Sequence, residues 1–479
     1  MTKTDNPNAS GGAAAVVAAQ ADGPRGVDAP SVEARVVVGE RAVLRRMERR
    51  RAWGSIASNG TIAAAVMVAA AVVAVFVANS PTAEAVHHAL QMPVGITLGG
   101  WAPTLTFEQF VNDFLMAIFF LLVGIELKFE MCAGELRHVR QAALPMLAAV
   151  GGVCVPSLIY TLVNLGDGGV AAGWAVPMAT DIAFALGIMS LLGSRVAPAT
   201  KVFFSTLAIA DDVLAIVVIA AFYGQTPSVP WVVASLVCVG ALALLHTRRV
   251  YEVAPYLVVG LVLWACMFNS GIHATLAGVI VALFLPAGSE VRLPSLPAWL
   301  AGAAKSLGRT YDEDVHILGQ HEFASAAAGV ERVVRHAVPP LHRVECAIGT
   351  AVNFGILPLF AFVNAQVGMQ GASLMQVAAS PVARGAFLGA FLGKPLGIIG
   401  VTFVLVRLGF AKLPKGMDWT QVVAVGLLGG LGFTMSILIS GLAFTSDANV
   451  LAAKCAILAG SVASAVAGTL YLLIATRRR

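Results

Sequence analysis

Two adjacent acidic residues, Asp211 and Asp212, lie in the otherwise apolar stretch Ala208-Ile-Ala-Asp-Asp-Val213. Each charge near the middle of a membrane-spanning helix costs about 2.5–3.5 kcal/mol on insertion scales, and structure alone rarely calls for two. Neighbouring carboxylates titrate as a coupled pair, and their oxygens are also ligands that hard cations such as Na⁺ or Li⁺ prefer. Protons and cations would therefore compete for one site. If that site opens to each side of a membrane in turn, the competition is itself ion exchange.

Three further ionisable residues, Asp113, Asp181 and Lys394, stand in apolar stretches and are candidate functional residues for the same reason. Each also has an explanation without a transport role. Asp113 is nearer the end of its predicted helix and could lie at the membrane interface. Asp181 could cap a kinked helix, and Lys394 could only balance an aspartate charge.

Two predicted helices contain residues that interrupt helical geometry. The fourth, 172–192, contains Pro177 and two glycines, and the eleventh, 421–442, contains a cluster of glycines. Broken helices in corresponding positions of two halves indicate an inverted-repeat transporter with its site at the membrane midplane. In such a fold Asp181 would neutralise the positive ends of half-helices and Lys394 the negative ends. Glycines also serve close helix packing, so that alternative stays open.

The composition indicates a membrane protein. Of 479 residues, 58% are hydrophobic and only 12% are charged, whereas a soluble domain carries about 25% charged residues. A spanning helix needs about 20 mainly apolar residues, and the chain offers about twelve such stretches. The sequence therefore predicts an all-α polytopic membrane protein. The approximate spans are 59–79, 107–127, 143–163, 172–192, 199–223, 229–246, 251–269, 272–286, 344–364, 382–407, 421–442 and 450–475.

Lys and Arg residues are concentrated in alternate loops between these spans, which is the pattern of cytoplasmic loops. The distribution predicts that both termini are cytoplasmic, in the inner membrane of a bacterium. The formal net charge of +5 is then a topology signal, and we expect the lipid bilayer rather than nucleic acid as the main partner.

The chain divides into four predicted parts. Residues 1–54 form a polar tail, expected to be disordered, with a basic end, and residues 55–286 form a membrane domain with spans one to eight. Residues 287–340 form a cytoplasmic insert, flexible or partly helical, and residues 341–479 carry spans nine to twelve. Between the first two spans, at about 92–104, alternating apolar and small residues predict an extracytoplasmic β-hairpin that can pair with a second copy of the chain.

Motifs along nearly all of 59–475 resemble the NhaA family of bacterial Na⁺/H⁺ antiporters. These motifs are Phe119-Phe-Leu-Leu-Val-Gly-Ile-Glu-Leu-Lys128, Ala179-Thr-Asp-Ile-Ala-Phe-Ala-Leu-Gly187, Ala210-Asp-Asp-Val213, His273-Ala-Thr-Leu-Ala-Gly278, Leu357-Pro-Leu-Phe-Ala-Phe362, Gly393-Lys-Pro-Leu-Gly397 and Gly432-Phe-Thr-Met-Ser-Ile437. The resemblance implies twelve helices with the fourth and eleventh broken, a homodimer held partly by the hairpin, and no cofactor. It also implies electrogenic exchange of cytoplasmic Na⁺ or Li⁺ for external H⁺, switched on at alkaline pH.

The resemblance assigns roles to particular residues. It implies that Asp211 and Asp212, with Thr180, bind Na⁺ or Li⁺, that Asp181 and Lys394 balance charge, and that Asp113 and Thr434 are accessory. Glu126, Lys128 and Glu345 match a region linked to pH sensing. Two positions there depart from the family pattern, since Phe129 stands where a basic residue is expected and Cys346 stands where a histidine is expected.

Two other classes of protein were weighed against exchange. An intramembrane aspartyl protease needs its two carboxylates on facing helices, and adjacent residues on one helix cannot meet that requirement, so we expect a transporter and not an enzyme. A Na⁺- or H⁺-coupled symporter of a small solute remains the alternative, because sequence does not show which way the proton moves.

Overall fold

The computed structural model describes residues 60–95, 105–134, 139–166, 168–224, 226–368 and 374–476. The described part of the chain is mostly helical. In chain order its α-helices are α1 Gly60–Ala78, α2 Ala83–Leu90, α3 Phe107–Cys132, α4 Val139–Val163, α5 Ile182–Leu191, α6 Pro198–Phe222, α7 Val229–Thr247, α8 Val253–Ser270, α9 Leu276–Phe284, α10 Leu296–Thr310, α11 His321–Ala337, α12 Pro340–Asn364, α13 Leu374–Ala379, α14 Pro381–Arg407, α15 Trp419–Gly429, α16 Phe433–Ala443 and α17 Asp447–Thr476.

The long helices are apolar enough to cross a membrane. In the described residues ten helical segments pass by length and composition, and α15 and α16 together form an eleventh, bent by 41°. One of the ten, Ala171–Leu191, consists of the 3₁₀-helix Ala171–Met178, a short extended stretch and α5. The chain is thus a multi-pass membrane protein, as its composition indicates.

Ten of the predicted spans match these ten segments and another matches α15 with α16. The remaining predicted span, 272–286, contains only the nine-residue helix α9. Its neighbour α8 ends at Gly271 in the left-handed conformation, with φ 82°, and α9 ends just before Pro286. The count of twelve spans and the inverted repeat stay predictions.

Three of the long helices contain a π-helical turn, in which the hydrogen bonds skip one residue more than in an α-helix. These turns are Phe110–Leu115 in α3, Val352–Ile356 in α12 and Gly389–Gly393 in α14. Each adds a residue to one turn and so rotates the side chains that follow. The turn in α14 ends immediately before Lys394.

The chain divides into two compact units. The first comprises the described residues of Met1–Phe119, Glu130–Thr226 and Thr350–Arg479. At its centre α14 packs closely on α4: a Cβ atom on Gly393 would lie 2.7 Å from the Cα of Pro156, and one on Gly151 would lie 2.7 Å from the carbonyl oxygen of Gly397. Small residues therefore set the distance between these two helices.

The second unit comprises Phe120–Phe129 and Pro227–Gly349. Its core is formed by α7, α8 and α9, with Leu242, Tyr256 and Leu263 fully buried among them. On the other side of α7 the large apolar side chains of Val233, Leu236 and Val237 are exposed, as expected where the surrounding solvent is lipid.

The predicted insert, 287–340, contains α10 and α11. The two ends of the predicted hairpin form a small antiparallel sheet, in which β1 Pro93–Val94 pairs with β2 Leu105–Thr106. A mostly helical fold with a small two-stranded sheet is therefore confirmed. The tip of the hairpin, 96–104, and the predicted tail, 1–54, lie outside the described residues.

Candidate cation-binding site

The paired aspartates lie on α6, near the middle of a 25-residue helix. Pro198 occupies the first turn of this helix, where its missing N–H is no cost, and the sequence that follows is apolar apart from Lys201, the two aspartates and a few small polar side chains. Asp211 is 1% exposed and Asp212 is 3% exposed. Both carboxylates are therefore inside the first unit rather than against lipid or water.

Lys394 is the cation that faces this pair. Its side chain is 0% exposed, and its Nζ lies 2.6 Å from Oδ2 of Asp211. The same Nζ donates a hydrogen bond to the carbonyl oxygen of Met178, and the charge of Asp212 is close enough to act on it. A buried ion pair is stable only when its geometry and hydrogen bonds are good, and removing one partner typically costs about 3–5 kcal/mol. Lys394 and Asp211 thus depend on each other.

The chain leaves helical geometry between the 3₁₀-helix and α5. Ala179 and Asp181 have extended backbone angles, with ψ of 152° and 102°. Asp181 is the N-cap of α5, and its Oδ1 accepts a hydrogen bond from the N–H of Phe184 at 3.2 Å. We call Ala179–Asp181 the first break. Its preceding Pro177 lacks the N–H group that a continuous helix would use.

A second break separates α15 from α16 at residues 430–432. The two breaks lie against each other. The hydroxyl of Thr180 donates to the carbonyl oxygen of Gly429 at 3.0 Å, and the N–H of Asp181 donates to that of Leu431 at 2.5 Å. In return, the hydroxyl of Thr434 donates to Oδ2 of Asp181 at 2.9 Å. Two carbonyl oxygens and one N–H group freed by the interruptions are thus satisfied at this contact between the two breaks, which we call the crossing.

Charges of opposite sign occupy the two kinds of helix end at this crossing. Asp181 caps the N-terminus of α5 and accepts from a residue in the first turn of α16, so its carboxylate faces two positive helix ends. Lys394 donates to the carbonyl oxygen of Met178, the last residue of the 3₁₀-helix, which is a negative end. These are the positions that charge balancing requires. The roles themselves stay predictions.

The oxygen atoms at this crossing are ligands that suit a small hard cation. Oδ1 of Asp211 is buried and accepts no hydrogen bond from a described residue. Thr180 lies next to the same carboxylate, and Asp212 adds two more oxygens one residue away. Carboxylate, hydroxyl and carbonyl oxygens are the ligands that such ions take, with no sulfur or imidazole needed. The arrangement can therefore hold either a cation or protons.

The remaining predicted residues lie elsewhere. Asp113 is half-buried in the π-turn of α3 within the first unit. The three pH-sensing candidates belong to the second unit: Lys128 donates to the carbonyl oxygens of Leu283 and Leu285, at 2.6 and 2.5 Å, and Glu345 pairs with His342 at 3.1 Å. Lys128 thereby stabilises the C-terminal end of α9. Glu126 is half-buried on the same helix as Lys128. Their role in pH sensing stays a prediction.

Sequence reasoning missed several contributors to the first unit. The carbonyl oxygen of Met178 holds Lys394, but an apolar side chain gives no hint of this backbone contact. Asn364 donates to Oδ1 of Asn112 at 2.6 Å and so connects α12 to the π-turn that carries Asp113. The contact could have been predicted from the sequence only because both asparagines stand in otherwise apolar stretches.

The sequence of most of the chain matches known proteins. The model of the Na⁺/H⁺ antiporter 1 family matches residues 55–472. The chain is 40% identical over 420 residues to the Na(+)/H(+) antiporter NhaA of Janthinobacterium sp. (strain Marseille), covering 86% of this chain and 91% of that protein. For the protein of the same name in Rhodospirillum rubrum the identity is 42% over 422 residues, covering 87% and 95%. For that of Caulobacter vibrioides it is 38% over 437 residues, covering 91% and 94%. The resemblance carried by the motifs is thereby confirmed.

Proposed function

The chain belongs to the Na⁺/H⁺ antiporter 1 family, and from this premise we propose that it expels cytoplasmic Na⁺ or Li⁺ in exchange for external H⁺. The exchange is electrogenic, and Asp211 and Asp212 are the cation ligands, with Thr180 beside them. The single observation that carries the proposal is the buried contact of Lys394 with Asp211, next to Asp212, at the crossing of two interrupted helices.

Exchange follows from competition at Asp211. A cation that binds its oxygens takes the place of the ammonium of Lys394, since both need the same carboxylate. The displaced lysine is then a buried charge without a partner and releases its proton. A proton on Asp212 leaves as well when this carboxylate becomes a ligand. If both protons leave for one cation, each cycle moves net charge, which is the origin of the electrogenic exchange we propose.

The breaks supply what alternating access needs. Short interruptions joined by hydrogen bonds can shift relative to each other without unfolding a whole span, whereas a continuous helix cannot. Regulation by pH, with Glu126, Lys128 and Glu345 as sensors, belongs to the same proposal. So do twelve spans in the bacterial inner membrane with both termini in the cytoplasm.

Everted membrane vesicles provide the test of exchange. Respiration acidifies their lumen, and a dye reports the pH gradient while NaCl, LiCl or KCl is added. Na⁺ and Li⁺ should raise the luminal pH and K⁺ should not, because the cation enters as protons leave. The absence of any response from about pH 6 to about pH 9 would contradict antiport.

A matched variant tests the site. Asp212→Asn keeps the size of the side chain but removes the titrating oxygen, so exchange should be lost while the amount of protein in the membrane stays unchanged. Asp447→Asn, a change of the same kind at the first residue of α17, is the control and should exchange normally. Full exchange by Asp212→Asn would place the site elsewhere.

We further propose that the chain forms a homodimer through the segment that β1 and β2 enclose. The two strands pair at Pro93↔Thr106 and Val94↔Leu105, which holds the ends of this segment together. Deleting residues 94–101 should reduce the dimer fraction in chemical crosslinking of membranes. A dimer fraction equal to that of the wild type would move the interface to another surface.

A further inference from the structure

A cavity of about 830 Å³ lies in the second unit. Its walls come from α11, from the start of α8 and from the first turns of α12. A volume of this size is within the range of about 300–1,000 Å³ found for small-molecule sites. Six ionisable side chains line it: Glu252, Glu331, Arg332, Arg335, His336 and Arg343.

The three arginines of this cavity have unused hydrogen-bond donors. Neither Arg332 nor Arg335 makes a hydrogen bond or ion pair with another described residue. Arg343 donates from Nη2 to the carbonyl oxygen of Tyr251 at 2.6 Å, but its Nε is buried without an acceptor. A buried donor left unsatisfied costs about 1–3 kcal/mol, so a bound acceptor at this position would be favourable.

The acidic groups nearby do not satisfy these donors. Glu252 and Glu331 line the same cavity without forming an ion pair to any of the three arginines within 4.0 Å. Glu290 is engaged by Nδ1 of His336. Arg335 lies close enough to Arg343 for their like charges to repel, while Glu290 and Glu252 lie close enough to attract Arg343. The cavity thus contains a pair of cations that an anion between them would stabilise.

Helix geometry favours an anion at the same place. Val253 and Ala254 are the first residues of α8, and Arg343 and Val344 lie in the first turns of α12. Helix N-termini carry partial positive charge and free N–H groups. A row of arginines on an amphipathic helix is otherwise often only a solvated face. Here three arginines from two different helices, the exposed Arg332 and Arg335 and the half-buried Arg343, line one cavity.

We propose that this cavity binds a phosphate-bearing anion through the guanidinium groups of Arg332, Arg335 and Arg343. The planar guanidinium matches two oxygens of a phosphate at once, and charge-assisted bonds of this kind are about twice as strong as neutral ones. Arg332 and Arg335 belong to the insert, so the site depends on that segment. The phosphate comes either from a soluble compound or from a phospholipid headgroup, because the neighbouring Arg248 and Arg249 predict a position at the cytoplasmic membrane surface.

Binding to the full-length protein in lipid nanodiscs tests the proposal and separates the two sources. In one arm the nanodiscs contain phosphatidylcholine alone, and inorganic pyrophosphate is added against KCl of equal ionic strength. In the other arm no pyrophosphate is added, and part of the lipid is phosphatidylglycerol. The unfolding midpoint and the dissociation constant are measured for the wild type, for R332Q/R335Q and for the control R309Q. Arg309 is an exposed arginine of α10 in the same insert that does not line the cavity.

We expect a raised unfolding midpoint in at least one arm for the wild type and R309Q, and at least about tenfold weaker binding for R332Q/R335Q. A response to pyrophosphate identifies a soluble ligand, and a response to phosphatidylglycerol alone identifies a headgroup. No response in either arm, or equal responses in all three proteins, would overturn the proposal. Because the readout is binding and not exchange, the outcome is independent of the antiport proposal.

Discussion

The two breaks of the first unit interrupt their segments by different means. In the first break, polar side chains make the hydrogen bonds: Thr180 donates across the crossing, and Asp181 both caps α5 and accepts from Thr434. In the second break, the contribution is backbone: Gly429 and Leu431 offer carbonyl oxygens, and Gly432 leaves room for the approach. The charge of the crossing is thus carried by one of the two interrupted segments, together with Lys394 and α6.

This difference separates chemistry from packing. Side-chain changes of similar size within the first break itself should alter ion exchange more than they alter folding, because they remove charge and keep the packing. Changes at the second break should act through the fit of the two backbones. Three substitutions, taken from the largest expected effect on stability to the smallest, test whether the separation holds.

Lys394→Met should have the largest effect, because Lys394 touches both the first break and Asp211. The variant leaves the Asp211 carboxylate buried without its cation, which typically costs about 3–5 kcal/mol of unfolding free energy. Thermal unfolding in detergent measures the loss, and exchange in vesicles should disappear. Lys305→Met, at an exposed position of α10, is the matched control.

A second variant identifies the cause of that loss. Adding Asp211→Asn to Lys394→Met removes the unpaired charge and should restore part of the stability without restoring exchange. If the double variant were as unstable as Lys394→Met alone, the lysine would act through its packing and not through its charge.

Gly432→Ala should have the next largest effect, and it should appear mainly in stability. A Cβ atom at residue 432 would lie 2.5 Å from the carbonyl oxygen of Ala179 and 2.6 Å from Oγ of Ser436. Forcing extra atoms into such a space costs about 1–3 kcal/mol. Gly441→Ala in α16 is the control, since nothing lies within 4 Å of the added atom. Equal unfolding midpoints for the two variants would show that the second break does not depend on close approach.

The sequence was sufficient to locate the charged residues of this crossing but not their partners. Membrane helices are long and apolar, so the spans and the ionisable residues within them can be recognised in the sequence. Asp181, Asp211 and Lys394 were all identified in that way. Which charge lies against which depends on tertiary structure, since Lys394 and Asp211 are 183 residues apart. A role in balancing one aspartate and a role at helix ends were separate alternatives for Lys394. In the structure its Nζ contacts both Asp211 and Met178.

Two features of the fold could not be predicted from the sequence. The π-turn before Lys394 shifts the register of α14 by one residue, which changes the direction of the lysine but not the composition of the helix. The predicted span 272–286 is apolar apart from His273 and Thr275, yet only Leu276–Phe284 is helical. An apolar run does not show where helical hydrogen bonding begins inside it.

Asp181→Asn should have the smallest effect on stability and still reduce exchange. Asparagine caps a helix about as well as aspartate, so the bond from the N–H of Phe184 survives and the loss should stay below the range of about 0.5–2 kcal/mol for removing a cap. What disappears is the negative charge at two positive helix ends, together with the acceptor that Oδ2 offers to the hydroxyl of Thr434. The matched control is Asp418→Asn, because Asp418 also caps a helix, α15, and accepts from the N–H of Gln421 at 3.0 Å, but at the start of the interrupted segment and not at its break. Thermal unfolding should give similar midpoints for both variants, while vesicle assays should show slower exchange for Asp181→Asn alone. Exchange at the wild-type rate in Asp181→Asn would mean that the first break needs neither this charge nor the hydrogen bond from Thr434, and the distinction between the two breaks would then concern packing only.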